Sequence, residues 1–146
     1  SQYASASLEA LESLYASSAP SHEGRPAVRG YKPYAKKEIY EETPAEVANY
    51  YFPGMKNPTW DNLEGVWVEG SMGAALAYLK CGNREKAVEI MREMLPLQAG
   101  RGGFIYFTMD IPHEFSTYQS VASTAWFIIV ASALENQAAA DSFWSS

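Results

Sequence analysis

What the sequence lacks already excludes several classes of function. A single cysteine, Cys81, rules out an intrachain disulfide, and with only two distant histidines, His22 and His113, no zinc constellation assembles. We therefore predict no metal and no cofactor, and we expect Cys81 to be a small buried side chain at a helix end. The longest apolar stretch, residues 121–134, is too short to span a bilayer.

Positive charge is also scarce. The chain has eleven Lys and Arg residues and seventeen Asp and Glu residues. The resulting net charge of −6 argues against nucleic acid or an anionic membrane surface as a partner. No signal peptide is recognisable and the chain starts without Met, which suggests processing or a longer parent protein. We expect a soluble protein, and the sequence does not separate a cytoplasmic from an exported one.

Apolar residues make up 47% of the chain and aromatic residues 14%, which is enough for one domain with its own core. We divide it into a leading helical segment (1–18, helix at 6–16), a loop segment (19–58), a helical core (59–136) and a tail (137–146). The loop segment holds six of the eight prolines. Within it, Thr43-Pro44-Ala45-Glu46 predicts a short helix over 44–51. The only β element expected is a short strand near 104–107.

Three helices are predicted in the core. Residues 71–81 are apolar all round with Ser71 as N-cap, residues 84–95 are amphipathic after a Gly82-Asn83 turn, and residues 119–134 are again apolar. This order of buried, amphipathic and buried helices is typical of concentric helix barrels. It predicts that the two apolar helices lie side by side, with Leu76 and Ile128 in the core.

The loops entering the two apolar helices, 60–70 and 100–119, would then open at the same end. Each carries acidic and aromatic residues that suit a binding site: Trp60, Asp61, Glu64, Trp67 and Glu69 in the first, and Tyr106, His113, Glu114 and Tyr118 in the second. The competing interpretation is structural, because acidic residues near a helix N-terminus stabilise its dipole and aromatic residues fill cores.

Three segments, Trp67–Tyr78, Gly102–Tyr106 and Phe115–Trp126, resemble the later hairpins of the (α/α) toroid found in six-hairpin glycosidases. The resemblance implies a mainly α fold of helical hairpins forming a partial toroid, with a carbohydrate cleft and acid/base chemistry by carboxylates. Hydrolysis of a glycosidic bond needs two carboxyl groups. We take Glu69 as the first catalytic candidate, with Glu64 or Asp61 as the second. Trp60 and Trp67 would stack on sugar rings, and Tyr106, His113, Glu114 and Tyr118 would supply further substrate contacts.

A full toroid has more than twice as many helices as this chain predicts. We therefore expect a homo-oligomer or a partner chain to complete the barrel, most simply a two-fold dimer. An alternative is a helical interaction module, since residues 74–87 resemble one tetratricopeptide hairpin. That fold needs further copies at a period of about 34 residues, and none follows. A non-catalytic sugar-binding module or an enzyme remnant is a third interpretation.

Overall fold

A computed structural model describes residues 2–35 and 59–136, and the chain there is mainly helical. Four α-helices and two short hairpins make up the framework: α1 (Gln2–Ala10), β1 (Ala16–Ala19), β2 (Val28–Tyr31), α2 (Val68–Lys80), α3 (Arg84–Met94), β3 (Phe104–Ile105), β4 (Gln119–Ser120) and α4 (Val121–Glu135). A π-helical turn at Leu11–Tyr15 extends α1, and 3-10 turns lie at Trp60–Asn62 and Leu95–Leu97. The helix predicted at 44–51 and the tail at 137–146 lie outside the described residues.

Helix α2 is the centre of the fold, as its apolar sequence predicts. Its buried side chains include Met72, Ala75 and Leu76, and it packs against both α3 and α4. The turn into α3 is also as predicted: Gly82 has a φ of +83°, and the Asn83 side chain accepts a hydrogen bond of 3.0 Å from the Lys86 N–H. Together α2 and α3 form the expected antiparallel helical hairpin.

The predicted N-cap of α2 is wrong. The helix begins at Val68, and Ser71 lies inside it, fully buried. Its hydroxyl donates to the Trp67 carbonyl (2.7 Å) and accepts from the Tyr31 N–H (2.9 Å). The helix starts earlier because other chain segments satisfy its first backbone groups: the Val68 N–H donates to the Tyr106 carbonyl at 3.2 Å.

The hairpin of β1 and β2 is absent from the sequence prediction, which extended the first helix to residue 16 and left the following segment irregular. The strands pair antiparallel from Ala16 opposite Tyr31 to Ala19 opposite Val28. Glu23 and Gly24 in the connecting turn both have positive φ. Two four-residue strands present too short an alternation to be recognised in the sequence.

Helix α4 lies beside α2 as predicted, but it buries only one face. Val130 and Ala133 are buried, whereas Ile128 is 59% exposed and Val121 87% exposed. The prediction that Leu76 and Ile128 both lie in the core is therefore right for Leu76 and wrong for Ile128. The physical reason is that α2 covers one side of α4, and no helix in the described residues covers the other. Within those residues the helices form no closed ring.

Two smaller predictions have different outcomes. The short strand expected near 104–107 is found at Phe104–Ile105, paired with Gln119–Ser120. Cys81 is exposed rather than buried, because it follows the last residue of α2 in the turn to α3. None of the helices in the described part of the chain combines the length and apolarity needed to span a membrane.

Candidate functional site

The two loops that the sequence predicts to converge do lie against each other. Backbone hydrogen bonds join Val68 N–H to the Tyr106 carbonyl and Thr108 N–H to the Val66 carbonyl, both at 3.2 Å. The Thr108 hydroxyl also accepts from the Val66 N–H at 2.9 Å. These bonds hold the start of α2 and the segment after β3 in a fixed relation.

Trp60 lies beneath this junction and not in a binding site. It is 2% exposed and belongs to a buried cluster with Leu63, Phe107 and Ile111. Its ring meets Phe107 and Phe115 edge to face, with centroids 5.8 and 5.4 Å apart. A side chain that is 2% exposed presents no free ring face for the predicted stacking of Trp60 on a sugar.

Trp67 differs from Trp60 in being half-buried, directly before α2. Its ring covers Gly70, so closely that a Cβ at position 70 would overlap the ring atoms. The indole Nε1 is buried, and no atom of residues 2–35 or 59–136 lies at hydrogen-bond distance from it. The Trp67 N–H lowers the pKa of Tyr106, but by less than burial raises it.

Tyr106 connects Trp67 with Glu69. Its ring stacks on Phe115 with centroids 5.1 Å apart and planes at 24°. Burial raises the pKa of Tyr106, and the negative charge of Glu69 and then Tyr34 raises it further. Trp67 and Glu69 flank Val68, whose N–H donates to the Tyr106 carbonyl, and the Tyr34 ring lies against Trp60 with centroids 5.6 Å apart. We call Trp67, Glu69, Tyr106 and Tyr34 the Glu69 surface. Tyr34 was missed in the sequence, since nothing in its proline-rich surroundings distinguishes it from other tyrosines.

The two other predicted catalytic residues have different environments. Asp61 is exposed and forms an ion pair with Lys32 at 3.4 Å, and the same ammonium group donates to the Trp60 carbonyl at 3.1 Å. Glu64 is exposed in the irregular segment between the 3-10 turn and α2. Among the described residues, no hydrogen bond or ion pair links either carboxylate to Glu69.

The remaining predicted substrate contacts lie along the 104–119 segment. Tyr106 donates its N–H to the Tyr118 carbonyl at 2.9 Å, which brings Tyr118 beside the Glu69 surface with its side chain 81% exposed. His113, with a φ of +67°, and Glu114 lie in an exposed turn closed by hydrogen bonds between Ile111 and Phe115. No contact joins that turn to Glu69 in the described structure.

A second polar cluster, not predicted from the sequence, surrounds Glu12. Its carboxylate accepts from the Tyr31 hydroxyl (2.5 Å) and the Tyr78 hydroxyl (2.6 Å), and Lys86 lies 3.8 Å away. Burial alone would raise the pKa of Glu12, but the two hydroxyl groups and Lys86 outweigh it and lower the pKa. Burial and the Glu12 carboxylate raise the pKa of Tyr78 to about 12 and raise that of Tyr31 as well. The sequence shows Glu12 only as part of the polar face of a helix.

The Glu12 cluster opens on a pocket of about 370 Å³ between the first hairpin and α3. The charges that line it alternate in sign and pair with one another: Glu12–Lys86, Lys86–Glu89 (3.4 Å), Glu89–Arg29 (3.6 Å) and Arg29–Glu93 (3.2 Å). Since every charge has a partner in the pocket, we assign the cluster to docking of the first hairpin on α3 and not to ligand binding.

Nothing in the described ranges offers a metal site. Residues 2–35 and 59–136 contain no group of three His, Cys, Asp or Glu side chains placed to hold an ion. The Glu69 surface is thus a carboxylate beside aromatic rings, an arrangement suited to hydrogen bonding and ring stacking.

Comparisons with known proteins found no relative of this chain. No protein-family model matches it, and no curated protein or solved structure is significantly similar to it.

Proposed function

We propose that this chain is a carbohydrate-active, glycosidase-like domain, or part of one, that binds an oligo- or polysaccharide at the Glu69 surface. The observation that carries the proposal is the hydrogen-bonded junction of the two loops, which brings Trp67, Tyr106 and Glu69 together. Aromatic side chains present a large apolar face with a polar tip, and an ionised carboxylate accepts strong hydrogen bonds from hydroxyl groups. Sugars require both kinds of contact.

In the proposed chemistry Glu69 acts as the acid or base. Its partner carboxyl group is Asp61 or Glu64, or a residue of another polypeptide that forms the opposite wall of the cleft. The fold proposed with this function is a section of an (α/α) toroid, in which α2 and α4 are inner helices and α3 is an outer one. The resemblance of Trp67–Tyr78 and Phe115–Trp126 to toroid hairpins supports this assignment.

Two glycines of α2 provide a test of the binding surface. A Cβ on Gly70 would overlap the Trp67 ring, whereas a Cβ on Gly73 would meet no atom within 4 Å. Gly70→Ala is therefore expected to displace the Trp67 ring and weaken glycan binding by about tenfold, or ~1.4 kcal/mol. Gly73→Ala is the matched control: binding stays unchanged, and unfolding free energy rises by about 0.5–1 kcal/mol because Ala restricts the unfolded chain.

The measurement begins with a screen of immobilised oligosaccharides, followed by titration calorimetry of wild type and both variants on the best glycan. Equal glycan affinity in Gly70→Ala and Gly73→Ala would contradict a binding role for Trp67. A wild-type chain that binds no glycan in the screen would contradict the proposal as a whole.

A second candidate function is a non-catalytic helical interaction module. One observation favours it: α4 presents exposed apolar side chains, Val121 and Ile128, on the face turned away from α2. Glycan binding in the screen separates the two candidates, since an interaction module has no reason to bind sugar.

A further inference from the structure

The exposed face of α4 is a regular, uncharged stripe of apolar and small residues. Its members are spaced by four, three and four residues and are all exposed: Val121, Ala125, Ile128 and Ser132. No charged residue occurs in the helix before Glu135. The spacing is that of the a and d positions in a coiled coil, where side chains of one helix pack into spaces on another.

The opposite face of the same helix already packs inside the protein. Ser123, Val130 and Ala133 are buried, and Trp126 and Phe127 pack against the core. Since this inward face is occupied and no helix of the described residues covers the outer face, the stripe is a second seam on which another helix can pack. A groove of about 370 Å³ runs beside it, lined by Val121, Ala125 and Ile128 and by Gln119 of β4.

We propose that this stripe, the α4 stripe, pairs with the same stripe of a second copy of the chain in an antiparallel, two-fold arrangement. Large and small residues alternate along it, and antiparallel pairing sets Val121 opposite Ser132 and Ala125 opposite Ile128. Every contact then joins a large side chain to a small one, and each occurs twice, as a two-fold axis requires. Parallel pairing would set Ile128 against Ile128 and leave a gap at Ala125.

Charge supports the same orientation. Helix α4 has no acidic residue in its first turn and no basic residue in its last. In the antiparallel pair Glu135 lies opposite position 118, just before the N-terminus of the other α4, where the helix dipole is positive. The occupant is therefore matched to the stripe in size, polarity and charge.

The surface area that two α4 helices can bury against each other sets the expected affinity of the dimer. Fifteen residues make a helix of roughly 22 Å, and one helix pair of that length buries less than the ~1,600 Å² typical of a stable complex. We expect a reversible dimer that forms at micromolar to submillimolar concentration, rather than an obligate one.

The first test is sedimentation equilibrium of the full chain over that concentration range. We expect wild type to dimerise, and Ile128→Asp to weaken dimerisation by at least about tenfold because it places a charge in an apolar contact. The matched control is Leu95→Asp, which changes another exposed apolar side chain outside the stripe and leaves dimerisation unchanged. A wild-type chain that stays monomeric throughout the range overturns the proposal, as does a dimer that Leu95→Asp weakens and Ile128→Asp does not.

The second test examines orientation. Val121→Asp and Ser132→Arg are each expected to weaken the dimer, while the double variant restores it, because each new carboxylate faces a new guanidinium group across the interface. In a parallel pair, the double variant would set like charges against each other. Failure of the double variant to restore dimerisation overturns the antiparallel assignment, and circular dichroism verifies that each variant retains its helices.

Discussion

Replacing Glu69 by glutamine is expected to slow hydrolysis of a bound glycan by about 10²–10⁴-fold while leaving its affinity nearly unchanged. The amide keeps the size and much of the hydrogen bonding of the carboxylate but neither donates nor accepts the proton. Tyr106 provides an independent readout: the Glu69 charge contributes to raising the pKa of Tyr106, so that pKa should fall in Glu69→Gln.

Glu85→Gln is the matched control for this prediction. Glu85 is the second residue of α3 as Glu69 is of α2, so each substitution removes one negative charge from a first helical turn. Loss of the helix-dipole interaction costs about 0.3–1 kcal/mol in either variant, and only Glu69→Gln should affect turnover. Unchanged turnover in Glu69→Gln would exclude Glu69 from catalysis. A wild-type chain that binds a glycan without cleaving it would instead identify a non-catalytic sugar-binding module.

Replacing Gly30 by alanine is expected to lower the free energy of unfolding by about 3 kcal/mol. A Cβ at this position would lie 2.6 Å from both Ser71 Oγ and Val66 Cγ1, and 3.2 Å from Met94 Cε. All three neighbours are fully buried and cannot move towards solvent. Displacing Ser71 Oγ also breaks its hydrogen bond with the Tyr31 N–H, a direct hydrogen bond between β2 and α2.

Urea denaturation measures this effect, with Gly100→Ala as the control. Gly100 lies in a loop where a Cβ would meet no atom within 4 Å, so its change should stay within about 0.5 kcal/mol. Ser71→Ala separates the two contributions, since it removes the hydrogen bond without the steric overlap and should cost about 1–3 kcal/mol. A loss below about 1 kcal/mol in Gly30→Ala would contradict the close packing of β2 on α2.

The features predicted correctly from the sequence follow from local patterns of residues. The α2–α3 hairpin follows from the local signal of Gly82-Asn83 between two helical patterns, and Asn83 caps α3 as its position indicates. The convergence of the 60–70 and 100–119 loops follows from the order of apolar and amphipathic helices. Both predictions rest on periodicity and turn chemistry, which a sequence displays directly.

The features that were missed depend on distant residues. Serine is a residue type common at helix N-caps. Only the contact of Ser71 with Tyr31, forty positions away, explains its burial inside α2. The Glu12 cluster brings together α1's π-helical turn, β2, α2 and α3, none of which identifies the others in sequence. The sequence does not distinguish Trp60 from Trp67, which lie seven residues apart in the same loop. Tertiary packing buries the first and leaves the second half-exposed. Ile128 was placed in the core because an apolar helix does not reveal which of its faces finds a partner.

The most direct measurement of the central claim, that the Glu69 surface binds carbohydrate, is a glycan titration followed through the indole N–H resonances of the tryptophans by NMR. Among the described residues the Trp67 indole N–H has no partner at hydrogen-bond distance, and Trp67 lies at the junction with Tyr106 and Glu69, so we predict a saturable shift of this resonance. Trp60, buried beneath the junction, and Trp126, a residue of α4 that packs against the core, should shift little and serve as internal references. Saturable glycan binding that shifts Trp126 and leaves Trp67 unchanged would contradict the assignment of the site.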